Sequence, residues 1–350
     1  MAIISFDSHK RYTLSLVEDA QGRVIAEQRI NHERGAIWQY LQRFTPGSPV
    51  AVETIGNWYW IVEEIEQAGM EPLLVHARKA KVMVGNVNKT DRLDVRGLNR
   101  LQRTGTLPTV WIPPGELRDK RDVVRTRMFL VAQRTQLKNR VHATMAKYAL
   151  EVKEVTDIFG VRGRQLLEER CKLLPPHTRF ALEQQLEQVD GLEAAIDALE
   201  KRMREVFAET EEVKLLRTMP GVGFLLAVVI ALEIGEVGRF GRAEQLASYA
   251  GTTPRVHASG GKIRYGSLRT DVNHYLKWAY VEAANAICLN RSRWPQRHVS
   301  RLYERLRAKK GHAVAIGAVA RHLAEATYWV LTKKEQYRDP QSSQRSSTEA

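Results

Sequence analysis

The sequence predicts an α/β domain followed by a long all-α region. Three observations carry that expectation. Short apolar segments of strand length fill the first 110 residues and alternate with amphipathic stretches. A Pro-rich break, PTVWIPPGE, closes that part at Glu116. Beyond it, apolar residues recur three or four apart over long distances, the period of a helix.

In the first part, AIISFD, YTLSLVED and RVIAEQRI read as three successive strands, with a hairpin turn from Asp19 to Gly22. Glu33 to Phe44 reads as a helix and PVAVET as a fourth strand. Asn57 to Ala68 is helical, PLLVHA is a fifth strand, and Thr90 to Gln102 is again helical. Hairpins followed by strand–helix units give a mixed sheet over residues 1–110. Residues 111–215 hold long helices. Leu182, Leu186, Val189, Leu192, Ile196, Leu199, Met203 and Val206 form a stripe like that of a coiled coil, hence an expected arm and self-association interface as well as a buried seam. Residues 216–335 open with MPGVGF, a Gly-x-Gly turn resembling half of a helix-hairpin-helix element. Helices follow over 242–250, 271–290, 297–308 and 312–332. Residues 336–350 are polar and are expected to be a disordered tail.

The 350-residue chain carries a net charge of +14, with the basic excess weighted toward residues 251–350. A field of that sign attracts phosphate backbones and gains from counterion release, although excess charge also serves solubility alone. The two cysteines, Cys171 and Cys288, are far apart and lack metal-ligand spacing, so neither a disulfide framework nor a zinc site is expected and a reducing compartment fits. The opening MAIISFD lacks the features of a signal peptide, and the most apolar segment, Val222 to Ile234, is too short for a bilayer and contains Glu233; no membrane partner is expected.

Four carboxylates stand out. Asp7 closes the first strand and Glu53 the fourth. Asp91 and Asp94 are three apart, on one face at the start of a helix. Carboxylates converging at a sheet edge repel one another, and Mg²⁺, which prefers oxygen ligands and keeps waters for phosphate chemistry, resolves that repulsion. Each also has a plain structural reading: a strand-end turn for Asp7, a solvated or capping group for Glu53, and a helix N-terminus that favours acids for Asp91 and Asp94. Further along, Ser259 precedes Gly260 and Gly261, which permit close backbone approach. It is surrounded in sequence by Arg255, His257, Lys262, Arg264 and Arg269, with Ser267 nearby. The bland reading of SGGK is a flexible turn. Arginines recur from Arg291 to Arg307, including Arg297 and Arg301, with Trp294 and Tyr303 among them; this suits a nucleic-acid face or a solvated helix surface. Trp58 and Trp60 are expected to cover the sheet.

The set IISFDSHK, AVETIGNWYW, NKTDRLDV and YAGTTPRVHASGGKIRYG, in this order, resembles the DEDD transposases of insertion-sequence family one hundred and ten, relatives of site-specific DNA invertases, over residues 2–330. Phe6 stands where an aliphatic residue is commoner, and Arg96 where a small one is. The resemblance implies a ribonuclease-H-like, resolvase-like N-terminal domain, a central helical coiled-coil arm and a helical C-terminal transposase domain. It implies a Mg²⁺-binding tetrad of Asp7, Glu53, Asp91 and Asp94, and a nucleophilic serine at Ser259. His257 is one candidate for the base that activates it; metal or solvent are others. The resemblance further implies donor and target DNA as substrates, a structured bridge RNA as guide, a dimer or tetramer with active regions meeting across subunits, and a cytoplasmic, prokaryotic setting. Three alternatives remain: a site-specific invertase of the same fold, a metal-dependent junction resolvase that hydrolyses without the serine, and a basic architectural or RNA-binding protein.

Overall fold

The computed structural model describes residues 2–54, 56–85, 90–208 and 210–340. It divides into two compact units, Met1–Pro113 and the chain from Pro114 onward.

In the first unit, β1 (Ile3–Ser8), β2 (Tyr12–Glu18) and β3 (Val24–Asn31) form an antiparallel meander. β4 (Pro49–Glu53) and β5 (Glu71–Val75) then add in parallel on the other side of β1, giving the strand order β3-β2-β1-β4-β5. α1 (Ala36–Leu41) and α2 (Trp58–Gln67) provide the connections that parallel strands require, and α3 (Ala77–Val84) and α4 (Asp91–Arg103) follow β5. This mixed sheet is consistent with a ribonuclease-H-like core. Strand alternation sorts its two faces. Ile4, Phe6, Val50 and Val52 bury against Ile37, Leu41, Ile61 and Ile65 of α1 and α2, while Ala51 and Val75 bury against Leu98 and Leu101 of α4. Trp58 and Trp60 are half-buried and pack on the α1–α2 side, as expected of sheet cover.

α4 is pinned to its face by polar contacts. The Ser5 hydroxyl donates to Asn99 Oδ1 at 2.6 Å, Asn99 Nδ2 donates to the Leu16 carbonyl at 3.3 Å, and Gln102 Nε2 donates to the Pro49 carbonyl at 3.1 Å. Ser5 and Asn99 are fully buried, so these bonds fix where the helix sits along the sheet.

The second unit is helical apart from one hairpin. α5 (Gly115–Lys147) and α7 (Pro176–Phe207) are long and pack on each other, with α6 (Val161–Cys171) between them in sequence. The apolar stripe of α7 is buried within the same chain. Leu182 and Leu186 join Val141, Met145 and Leu167, and Met203 and Phe207 join the main core with Val124. Arg127–Glu200 at 2.7 Å and Lys138–Glu193 at 2.7 Å flank the α5–α7 contact. The stripe is therefore an intrachain seam, and Val206 at its end is exposed.

α8 (Glu211–Leu216), α9 (Phe224–Ile234), α10 (Ala243–Tyr249), α11 (His274–Asn290), α12 (His298–Lys310) and α13 (His312–Lys333) build the main core. The α8–α9 turn is the expected Gly-x-Gly element. Gly221, at φ 75°, faces the backbone of α11: a Cβ there would lie 2.3 Å from the Ala283 carbonyl oxygen, so close packing requires this glycine. Glu233, interrupting the most apolar helix, is buried and accepts a two-pronged bond from Arg125 at 2.8 and 2.9 Å and a third from Asn273 at 2.8 Å. Among the described residues no helix is long and apolar enough to cross a membrane. Tyr337 is half-buried, with its N–H on the Thr218 hydroxyl at 2.9 Å; residues 341–350 of the expected tail lie outside the described residues.

Between α10 and α11 the chain forms a hairpin of β6 (Pro254–Ser259) and β7 (Lys262–Leu268), where no strands were expected. Ser259 pairs with Lys262 across Gly260 and Gly261, both left-handed at φ 54° and 74°. Positive φ at both central residues of a two-residue loop is the turn whose twist matches a hairpin.

Candidate metal and nucleic-acid site

Three elements of the first unit bring the acids to one end of the sheet. β1 and β4 are parallel with Phe6 opposite Val52, so Asp7 and Glu53 are the next residues on neighbouring strands. Both belong to the face that Ser5 and Ala51 present to α4. α4 supplies the rest. Thr90 caps its start, accepting the Leu93 N–H at 3.3 Å, and Asp91 and Asp94 occupy its first turn. There the unpaired N–H groups favour negative charge.

Burial pushes the Asp7 carboxyl above its ordinary value; the charges of Asp91 and Asp94 push the same way, and His9 opposes them. Asp7 is thus held near two further acids in a half-buried setting, which a cation would relieve. His9, a residue that sequence reasoning passed over, stands between them: its Nε2 lies 3.2 Å from Asp7 Oδ2 and 3.1 Å from Asp91 Oδ2. Ligand atoms of Asp7, His9 and Asp91 all fall within 4.8 Å of one another, making a candidate metal-binding triad. Hard carboxylate oxygens with one imidazole fit a divalent cation of the Mg²⁺ or Mn²⁺ kind.

Around this triad, the Tyr12 hydroxyl donates to Asp91 Oδ2 at 3.1 Å, and its ring lies 4.6 Å from that of His9. The Arg29 guanidinium sits 3.9 Å from the Tyr12 ring centroid. Asn57 Nδ2 donates to the His9 carbonyl at 3.1 Å. Asn88 and Lys89 of the motif containing Asp91 lie outside the described residues.

Ser259 is in the second unit, exposed at the hairpin tip. The register puts His257 opposite Arg264 and Ser259 opposite Lys262, so all four side chains share one face; Val256, Ala258, Ile263 and Tyr265 take the other. Arg255 is on the polar face and donates to the Thr270 hydroxyl at 2.7 Å. His257 Nε2 lies 3.8 Å from where a Cβ on Gly266 would sit. Arg269, at the foot of the hairpin, pairs with Asp271 at 3.2 Å and reaches the Ser248 hydroxyl at 3.3 Å. Arg297 and Arg301 lie on a different element: Arg297 caps α12 with its guanidinium 5.0 Å from the Trp294 ring centroid, and Arg301 is exposed one turn on.

Comparison with known proteins agrees with this layout. Residues 4–149 match a DEDD transposase family profile of the IS110 type, described as "Transposase", and residues 213–300 match one described as "Transposase IS116/IS110/IS902 family". The chain is 24% identical to the transposase for insertion sequence element IS1111A of Coxiella burnetii, over 77% of this chain and 74% of that one. It is 25% identical to a probable family 20 transposase of Pseudomonas aeruginosa, over 85% and 87%. It is also 32% identical to the pilin gene-inverting protein of Moraxella bovis, over 33% of this chain and 36% of that one. The profile over residues 4–149 spans the acidic cluster and the one over 213–300 spans the serine hairpin, and on that footing the chain belongs to the IS110/IS1111 family of transposases, enzymes of DNA recombination.

Proposed function

We propose that this transposase breaks and rejoins DNA strands with Mg²⁺ held by Asp7, Glu53, Asp91 and Asp94, and with Ser259 as nucleophile. A structured bridge RNA selects donor and target DNA, and the working form is a dimer or tetramer. The observation that carries the proposal is the convergence of Asp7 and Asp91 on His9, with Asp94 close enough to act on Asp7. Glu53 joins the set through its strand register beside Asp7. The bound ion would draw charge from a backbone phosphate and favour its in-line displacement. Asp7 and Asp91 would hold it, and Tyr12 would fix the Asp91 carboxylate by its hydrogen bond.

At the hairpin, the Ser259 oxygen forms a bond to phosphorus as the bond to the departing strand oxygen breaks. The serine gives up its proton and the departing oxygen takes one. The resulting ester keeps the phosphodiester's energy for rejoining. Lys262 and Arg264 would hold the phosphate oxygens, a role that their exposure on the same face supports.

Recombination between donor and target plasmids, with the flanking non-coding RNA supplied or withheld, tests guidance. Product should require the RNA; equal product without it would reject that part. Ser259→Ala should abolish covalent protein–DNA adducts while DNA binding persists, and normal recombination by that variant would remove the serine from the chemistry and favour a hydrolytic resolvase. Similarity to the pilin gene-inverting protein supports a second reading as a site-specific invertase. Inversion of a segment between fixed sites, without excision of an element, would mark that role.

A further inference from the structure

Away from the acids, α4 carries a second feature. Arg92, Arg96, Arg100 and Arg103 follow one another three or four residues apart, so all four lie along one flank of the helix. That ridge extends about 16 Å at the helical rise of 1.5 Å per residue. Like charges one turn apart repel one another, and Asp94, the acid within this run, is two residues from both Arg92 and Arg96 and so belongs to another side of the helix.

The two end arginines are neutralised inside the domain. Arg92 pairs with Glu27 of β3, and Arg103 pairs with the buried Glu18 of β2. Arg103 lies against Gly22 in the β2–β3 turn. Gly22 is left-handed at φ +84°, and a Cβ there would come within 2.9 Å of the Arg103 guanidinium carbon, so the glycine lets that side chain lie along the turn. The middle two arginines are exposed, and among the described residues no carboxylate lies within ion-pair distance of either. Arg100 is oriented by donating one N–H to the Val84 carbonyl at 3.1 Å, which leaves its charge in place. Between this flank and the β2–β3 turn runs a groove of about 460 Å³, lined by Gly22, Val24, Arg96, Arg100 and Arg103 and by Glu18, whose carboxylate is taken up by Arg103.

We infer that Arg96 and Arg100, with the groove beneath them, form a seat for a nucleic-acid phosphodiester backbone. The seat rests on the family-level assignment to DNA recombination and on none of the catalytic assignments. Two arginines without an acidic partner among the described residues, their backbone positions about 6 Å apart along the helix axis, offer N–H donors to anionic groups on one strand. A backbone of either duplex DNA or RNA supplies that chemistry.

The test measures binding of the full-length protein in EDTA, so that no strand is cut, to a labelled 30-base-pair DNA and to a single-stranded RNA of matching sequence, over a range of KCl. For whichever polymer occupies the seat, Arg96→Gln/Arg100→Gln should weaken binding roughly tenfold at physiological salt. It should also lower the slope of log affinity against log salt by about 1.8 for duplex DNA, or about 1.4 for single-stranded RNA, the loss of two phosphate contacts. Arg96→Lys/Arg100→Lys should restore most of the slope. Arg34→Gln/Lys81→Gln, removing equal charge elsewhere on the domain, should change it less. On the wild-type protein, phenylglyoxal labelling followed by mass spectrometry should show Arg96 and Arg100 protected by the bound polymer. Wild-type slopes in both arms, an equal loss in the control pair, or labelling unaffected by nucleic acid would each overturn the seat. Recombination assays do not enter these readouts, so failure of the proposed chemistry and failure of the seat are separable.

Discussion

Asp7 lies one residue from the end of a strand that has a neighbour on each side and a helix pinned across one face. Ser259 ends a strand with a single partner, and the hairpin that carries it is open to solvent along nearly its whole length. The acidic cluster is therefore held by burial. Asn99 and Ser5 fix α4, α4 fixes Asp91 and Asp94, and strand register fixes Asp7 beside Glu53. The serine is held by its one partner strand and by a turn with two left-handed glycines. A metal site gains from rigidity because its ligands must agree within tenths of an ångström. A nucleophile of the kind proposed for Ser259, which would have to meet a bulky phosphate, gains from projecting beyond the core.

Removing one of the acids proposed to hold the ion should have the largest effect. Asp94→Asn is expected to lower strand exchange by about 10³-fold, the scale of losing a principal electrostatic contribution to a phosphate reaction, with the fold intact by circular dichroism. Activity near wild type would mean that the cluster is structural. Next is the support of that cluster. Asn99→Ala removes the 2.6 Å partner of the buried Ser5 hydroxyl, leaving it the longer contact to Gln102 Oε1 at 3.5 Å, and should cost about 1–3 kcal/mol in urea unfolding. A change well below that range would show that α4 is held by its apolar contacts alone.

The hairpin should respond in the opposite way. Gly260→Ala with Gly261→Ala places side chains on two left-handed residues, a strain of about 1–2 kcal/mol each. Because nothing in the core depends on the tip, the melting temperature should stay within about a degree while recombination falls. Matching losses of stability and activity would contradict the contrast between the two regions.

The smallest expected effect concerns pH. Burial raises the Asp7 carboxyl above its ordinary 3.8 in the folded protein. A raised folded value means that this group's contribution to stability is full below that ordinary value and is lost as pH rises through the folded one. Metal-free protein at neutral pH therefore carries a destabilising charge, and Asp7→Asn should melt a few degrees higher there. The difference should shrink below pH 4. A variant that melts lower at neutral pH would contradict this.

Much of the acidic cluster was legible in the sequence because it sits on strongly patterned elements. Ile4 and Phe6 alternate with Ser5 and Asp7, and Thr90 marks a helix start. His9 was not legible: a lone histidine just past a strand end has no period, and only the fold brings Asp91 to it. α3 was missed because VHA extends the apolar run of β5, whereas His76 turns the chain and caps the helix, accepting the Lys79 N–H at 3.4 Å. The hairpin did leave a signal. Val256 and Ala258, then Ile263 and Tyr265, alternate with polar residues on either side of Gly-Gly, yet without a buried face the pattern reads as a loop. The partner of the α7 stripe was not legible either, since an apolar seam does not state whether another helix of the same chain or a second copy will cover it.

The central claim is that the acids of the first unit hold a divalent ion, and calorimetric titration of Mn²⁺, standing in for Mg²⁺, into the wild-type protein and Asp7→Asn tests it most directly. Saturable binding by the wild type, weakened at least about tenfold in the variant, is the predicted result. Superimposable isotherms, or no saturable binding by either protein, would contradict it.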